Sequence, residues 1–268
     1  MTAMSIGKAW EEAVAFVRRE STLLFPVALL FVALPGVILQ EMTPPQLAQW
    51  TMTEGQANLP AVPGSFWAAM LIGVVVIWFG SLTLFALALR PGISVGEALR
   101  LGLARLPVLL GTALLVGAIF VAIIIAVSVV AAVIAVGSKP LGTGLALLGI
   151  GGLILFASVR LVLLNPVVID GHEGVVASLR TSWALTRGHF WRLFGFLFVL
   201  TLLSAIAATA AQSVFGLIGG LVGGTGAARL IGGIAAAAVS TVVQVYMLVM
   251  LARLYRQARP EDVARVFE

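Results

Sequence analysis

Six long apolar runs separated by short polar segments govern what this chain can fold into: Ser21–Leu39, Phe66–Leu89, Val108–Ala135, Leu145–Leu164, Leu193–Val214 and Leu230–Leu251. An α-helix rises ~1.5 Å per residue, so ~20 apolar residues cross a hydrocarbon layer of ~30 Å. With 61% hydrophobic and 10% charged residues, the composition does not fit a soluble domain. The expected fold is all-α: a polytopic membrane protein of six transmembrane helices, forming a single integral domain over 1–268. The largest pieces outside the runs, Gln40–Ser65 and Asn165–Arg192, are too small and polar to bury a core of their own. The first run follows twenty residues rich in charge and lacks a small-x-small cleavage pattern, so it reads as a retained helix rather than a signal peptide.

The basic residues alternate between the two sides of these runs. Lys8, Arg18 and Arg19 precede the first; Arg90, Arg100 and Arg105 lie between the second and third; Arg180, Arg187 and Arg192 lie between the fourth and fifth; Arg253, Arg256, Arg259 and Arg265 follow the sixth. Thirteen of the sixteen basic residues thus share one side, leaving Lys139 and Arg229 opposite and Arg160 inside a run. Positive flanks mark the cytoplasmic face, so both termini are expected inside. The net charge of +5 is this bias rather than a sign of nucleic-acid binding, and it also favours anionic headgroups. The absence of cysteine excludes disulfides and thiolate metal sites. Fourteen Arg against two Lys, with abundant Ala, Gly and Val, points to a GC-rich bacterial source and hence an inner membrane.

Three amphipathic segments precede the odd-numbered runs on the basic side. In Ser5–Arg19 a stripe of Ile6, Trp10, Ala13 or Val14, and Val17 opposes Lys8, Glu11, Glu12 and Arg18. In Ser94–Leu106 the stripe is Val95, Leu99, Leu103 and Leu106, and Ser94 and Glu97 have capping-box spacing. Val176, Leu179, Trp183 and Phe190 form the third. Such stripes fit helices lying in the interface plane, or cytoplasmic extensions of the spans themselves. Val95-x-x-x-Leu99-Arg100 matches Val175-x-x-x-Leu179-Arg180, and the order of elements implies three units, 5–89, 94–164 and 174–251, each an interfacial helix plus a hairpin. On the opposite side, Gln40–Gly64 forms the one sizeable loop, with Trp50 and Trp67 as interfacial anchors. Gly219, Gly220, Gly223, Gly224 and Gly226 have spacing for close helix contact or for a turn.

Arg160 is the only ionisable residue within a run, about four residues from its cytoplasmic end, where it either snorkels to the headgroups or holds a phosphate. No Asp or Glu lies in any run, which disfavours an ion-coupled pump. The embedded polar residues, among them Ser81, Thr83, Ser158, Gln212, Thr241 and Gln244, suit hydrogen bonds between helices or back to their own backbone. Asp170-Gly-His172-Glu173 is the densest polar cluster, but one His with two acids reads as a turn ahead of the third amphipathic helix rather than a metal or acid–base site. His189, beside Arg187 and Arg192, has poor company for a cation. The residues therefore specify no catalytic group, no metal site and no cofactor.

One stretch carries a resemblance: Arg160-Leu-Val-Leu-Leu-Asn-Pro166, then Asp170-Gly-His-Glu-Gly174, then Ser178-Leu-Arg-Thr-Ser-Trp183-Ala-Leu-Thr-Arg-Gly188-His-Phe-Trp191-Arg192. It resembles the six-helix membrane-domain family found fused to some bacterial glycerophosphoryl diester phosphodiesterases and also found as stand-alone proteins. Leu254-Tyr255-Arg256 is similar to that family's last helix. The resemblance implies a membrane setting and a link to lipid metabolism. It carries no enzymatic activity over, because the soluble barrel with its acidic metal ligands and histidines has no counterpart here. The expected role is non-enzymatic: binding or organising membrane lipids, anionic ones above all, or a membrane partner. Arg160, Arg180, Arg187 and Arg192 would contact phosphate headgroups, with Trp183 and Trp191 as interfacial anchors. A carrier or channel for a small or amphipathic solute, using Gln244, is the alternative. A lipid-directed enzyme relying on Asp170 or His172 ranks last.

Overall fold

The computed structural model describes residues 5–44, 47, 62–171 and 173–259, and among these every regular element is helical. Trp50, most of the expected outer loop, His172 and Arg265 lie outside the described residues. Helix α1 spans Ile6–Ala28, starting from Ser5, whose Oγ accepts the Lys8 N–H at 3.3 Å. Its backbone leaves helical geometry at Glu20 (φ −105°, ψ 16°), at the junction between the amphipathic segment and the first apolar run. A π-turn over Leu29–Ala33 follows, and α2 covers Leu34–Met42. Pro35 has no N–H to offer the carbonyl four residues back, and the hydrogen-bond ladder loosens just ahead of it.

Helices α3 (Gly64–Leu89) and α4 (Val95–Gly137) join through a tight turn at Arg90–Ile93. The capping box of α4 is present: the Ser94 N–H donates to Glu97 Oε2 at 2.8 Å and the Glu97 N–H to Ser94 Oγ at 3.2 Å. The second amphipathic segment forms no separate helix. It runs through Pro107 directly into the third apolar run, making a helix of 43 residues. At 1.5 Å per residue that is about 65 Å, well beyond a hydrocarbon thickness.

Helices α5 (Lys139–Arg160), α6 (Leu164–Asp170) and α7 (Val175–Thr186) complete the middle of the chain. The fourth apolar run is broken at Leu161, so Arg160 ends a helix instead of lying a turn inside one. Pro166 is the physical cause. Continuing α5 would need an N–H that proline lacks, whereas the first turn of a new helix does not. The third amphipathic segment is divided: Val176, Leu179 and Trp183 lie on a separate helix, α7, whose buried residues are Ser178, Ser182 and Thr186, while Phe190 begins the next helix.

Helix α8 covers Phe190–Ala258 but is bent back at Gly223–Gly224. Gly224 (φ 73°, ψ −163°) has a conformation essentially closed to residues with a Cβ. The two arms then touch backbone to backbone: a Cβ on Gly219 would fall 2.7 Å from the Ala227 carbonyl oxygen, and one on Gly232 2.8 Å from that of Gln212. Among the described residues, five helical stretches are long and apolar enough to cross a membrane, the fifth of them being α8 with its fold-back.

The buried core lies at the basic end. Every residue from Gly80 to Leu89 of α3 is buried, packed by Ala9, Ala13 and Phe16 of α1, Val167–Ile169 of α6 and Leu248–Tyr255 of α8. Arg256 Nη2 donates to the Leu89 carbonyl at 3.1 Å, satisfying an otherwise free group at the end of α3. The Ser5 N–H donates to Gln257 Oε1 at 2.9 Å. At the opposite end of the bundle, Arg229 pairs with Glu41 at 3.5 Å.

Candidate functional site

Arg160 lies at the junction of α5 and α7, and Phe190 of α8 packs on its neighbour Phe156. The Arg160 carbonyl accepts hydrogen bonds from Ser182 Oγ (3.2 Å) and Thr186 Oγ1 (3.3 Å), both fully buried and one turn apart on α7. That pins α7 across the end of α5. The Arg160 guanidinium then lies 5.1 Å from the Trp183 ring centre and 5.3 Å from that of Phe156, and these two rings meet edge to face at 5.6 Å. Cation–π contacts of this kind contribute ~0.5–2 kcal/mol each, and the carboxyl end of α5 favours a cation too. Neither supplies a hydrogen-bond acceptor. Nε and Nη1 are buried without a partner, and among the described residues no acid pairs with this side chain. An unpaired, partly buried guanidinium is costly to the fold and fits an anion from outside it.

Of the other sequence-selected residues, Trp183 packs on Arg160, and the rest form no common pocket with it. Arg180 on α7, Arg187 just after it and Arg192 in the first turn of α8 are all exposed. Gly188, at φ 84°, turns the chain between the two helices. Trp191 is 78% exposed and packs on Phe190 and Phe194. Trp183 is 44% exposed and covers Arg160. The structure therefore gives Trp183 a role beyond that of an interfacial anchor.

Sequence reasoning missed the aromatic line that extends from this point. Phe156 meets Phe190 at 5.5 Å, Phe190 stacks on Phe194 at 6.3 Å, and Phe194 meets Phe198 at 6.0 Å. The signal was legible, since 190, 194 and 198 follow the four-residue spacing that lines one helix face. Beside the line, α5 and α8 diverge into an apolar groove of about 400 Å³ lined by Gly151, Ile154, Leu155, Phe194, Phe198 and Thr201, among others.

A model of the family described as "Domain of unknown function (DUF7847)" matches residues 4–258. The chain belongs to this family. No curated protein and no solved structure matches it. The DUF7847 match takes in the Arg160 site and, except for Arg259 just beyond its end, a second polar cluster that closes the basic end of the fold. Tyr255 donates its hydroxyl proton to Asp170 Oδ2 at 2.9 Å, and Arg259 Nη1 donates to the Tyr255 oxygen at 3.0 Å. Arg259 also faces Asp170 at 3.5 Å and Glu173 at 3.7 Å, while Thr181 Oγ1 donates to Glu173 Oε2 at 2.8 Å. Burial first, and then the Asp170 charge, push the Tyr255 hydroxyl well above the usual tyrosine range. In this DUF7847 chain Leu254 is buried, Tyr255 reaches the turn at Asp170 and Arg256 caps α3, so each residue of that triplet has a packing role.

The embedded hydroxyls turn inward on their own helices. Ser81, Thr83, Ser158 and Thr241 each donate to a carbonyl three or four residues back. Gln212 is exposed and Gln244 half-buried.

Proposed function

We propose that this DUF7847 chain is a non-enzymatic, multi-pass protein of a bacterial inner membrane that binds anionic lipid headgroups on the cytoplasmic side. Six crossings follow if the fold-back at Gly223–Gly224 lies at the far face, with α7 lying in the near interface and both termini inside. Arg160, Arg180, Arg187 and Arg192 face the phosphates, and Trp183 and Trp191 settle at headgroup depth. On this reading the chain is akin to the membrane domain found beside glycerophosphoryl diester phosphodiesterases, sharing its setting and not its chemistry.

The observation that carries the reading is the Arg160 guanidinium, enclosed by two aromatic rings and without an acid among the described residues. The arginine fork holds two phosphate oxygens at once, which an aromatic ring does not replace. The test is native mass spectrometry of the protein released from its own membrane, with the bound lipids identified. Wild type should retain an anionic lipid at fixed stoichiometry, and replacing all four arginines with glutamine should abolish that retention while the helical signal persists. Equal retention by the two proteins would overturn the reading.

A further inference from the structure

We infer that Arg253, Arg90, Arg19 and Arg256, gathered around Phe16 where α3 ends, form a binding site for a dianionic phosphate group, carried by a lipid of the phosphatidic acid type or by a soluble molecule. The site shares no residue with the Arg160 cluster and does not depend on the reading given to it.

Three observations carry it. The first is convergence. The Arg253 guanidinium of α8 lies 4.7 Å from the centre of the buried Phe16 ring of α1, and that of Arg19 lies 5.7 Å from the same centre. Arg90, at the end of α3, lines a cleft with Phe16 and Glu20, and Arg256 donates to the carbonyl of Leu89 beside it. The second is unpaired charge. Arg19 is held by Glu20 at 2.9 Å, and Glu12 faces Lys8 at 4.0 Å. Among the described residues no acid pairs with Arg90, Arg253 or Arg256. Arg253 is half-buried, and its Nε is enclosed without a hydrogen-bond partner. Burial first, and then Arg256, disfavour its charge; Glu12 opposes them and Arg19 adds to them. A cation at the carboxyl end of a helix explains Arg90 and Arg256, but that attraction fades within the last turn and does not reach Arg253. The third is depth. Arg19 stands just ahead of the apolar run Ser21–Leu39, Arg90 just after Phe66–Leu89 and Arg253 just after Leu230–Leu251. The cluster thus lies at the level where three runs begin or end, within reach of a lipid phosphate and of water alike.

The balance of charge selects the ligand. Set against Glu12 and Glu20, the four arginines leave two positive charges in excess. A phosphate monoester matches that excess near neutral pH, because its second proton leaves at about pH 6, whereas a diester carries a single charge. The guanidinium fork suits the oxygens of such a group. The cleft beside Phe16 has room for about one water, so the phosphate rests against the exposed Arg19, Arg90 and Arg256 and draws on the Arg253 charge behind them. A ligand held on this open side exchanges freely. Titration reveals it, and not what survives extraction from the membrane.

The experiment titrates the full chain in detergent with inorganic phosphate, read by calorimetry, and with phosphatidic acid and phosphatidylglycerol of identical acyl chains, read by native mass spectrometry. Wild type should bind at least one of the two dianions: inorganic phosphate alone identifies a soluble ligand, phosphatidic acid alone a lipid, and both together the phosphate group itself. R253Q should weaken the dianion about tenfold, the scale of one charged hydrogen-bonded contact, R253K should restore part of the loss, and R90Q should weaken it several-fold. R100Q, which removes an exposed arginine of α4 outside the cluster, should leave the affinity as in wild type. If neither dianion binds, or if R253Q and R90Q both bind as wild type does, the inference fails, and the Arg160 reading is judged separately by R160Q. Phosphatidylglycerol held as tightly as phosphatidic acid at the site that R253Q removes would overturn the assignment of a dianion. A loss in R100Q equal to that in R253Q would mark the binding as general attraction to a basic face and overturn the site. Should R253Q not fold, as judged by its elution and melting, R90Q decides the outcome through an exposed side chain.

Discussion

Helices α3 and α4 sit side by side and meet their surroundings in opposite ways. The most apolar stretch of α4 has a mean hydropathy of 3.3 and only 6% of it is buried, whereas that of α3 has 2.4 and is 50% buried. In a water-soluble protein the more apolar helix would be the more deeply enclosed. Here the order is reversed, as it is for a helix that faces lipid and not water. Burial in this molecule therefore reports on packing and not on escape from water. The α3 end is surrounded by α1, α6 and α8, while the α4–α5 hairpin has mainly its own two strips of small residues.

The comparison breaks most sharply with one leucine from each region. Leu254 is fully enclosed beside the end of α3, and Leu148 on α5 is 79% exposed. Truncating Leu254 to alanine should cost ~2–5 kcal/mol, the range for emptying a packed site, whereas the same change at Leu148 should stay within ~0.5 kcal/mol. Reversible unfolding in mixed micelles measures both. Equal losses would mean that the two helices are packed alike, and the contrast would dissolve.

Within the exposed hairpin, the sensitive positions should be glycines and not leucines. A Cβ at Gly142 would lie 2.6 Å from the Ala131 carbonyl oxygen and from Ala135 Cβ, while one at Gly144 meets nothing within 4 Å. Gly142→Ala should cost ~1–3 kcal/mol by forcing α4 and α5 apart, and Gly144→Ala should be neutral or stabilising. Thermal unfolding of the two variants side by side distinguishes them, and identical midpoints would show that the close approach contributes nothing.

The smallest effect concerns the polar latch at the basic end. Tyr255→Phe removes the hydrogen bond to Asp170, and the loss should be ~0.5–1.5 kcal/mol. The pH dependence follows from the raised hydroxyl. The folded state holds that proton more tightly than the unfolded state does. Its contribution is therefore complete below the usual tyrosine value of ~10 and is lost as the pH rises beyond it. Wild type should weaken on the alkaline side more steeply than Tyr255→Phe. Parallel alkaline curves would remove Tyr255 as the cause.

How far these features were legible from residues alone differs by kind. The apolar runs were readable because hydropathy is a local property, and the first two stripes fall within single helices, while the third is split between α7 and Phe190 of α8. How each stripe joins its run was not. Glu20 interrupts the first, Pro107 is absorbed without a break in the second, and the Gly188 turn detaches the third, although all three read alike in sequence. Proline marked the true end of the fourth run through Pro166, a signal outweighed by the leucines around it. The turn at Gly223–Gly224 and the close contact at Gly219 were both open from spacing, and the structure contains both. Arg160 stood out as a lone charge among apolar neighbours. Its isolation from any acid was beyond the sequence, because it depends on what α7 and α8 bring from thirty residues away.

The hydrogen bond between Ser5 and Gln257 joins positions 252 apart, and Trp10 and Phe16 likewise find Tyr246 and Arg253 only at the far end of the chain. At ribosomal speeds of ~5–20 residues per second, that interval amounts to roughly 13–50 s of synthesis. Throughout it, the small-residue face of α1 at Ala9 and Ala13 stands uncovered, awaiting a helix not yet made. The first segment to emerge is among the last to be locked in place. A nascent chain stalled before Val245 should accordingly leave α1 reachable by proteases and chaperones that the finished protein turns away.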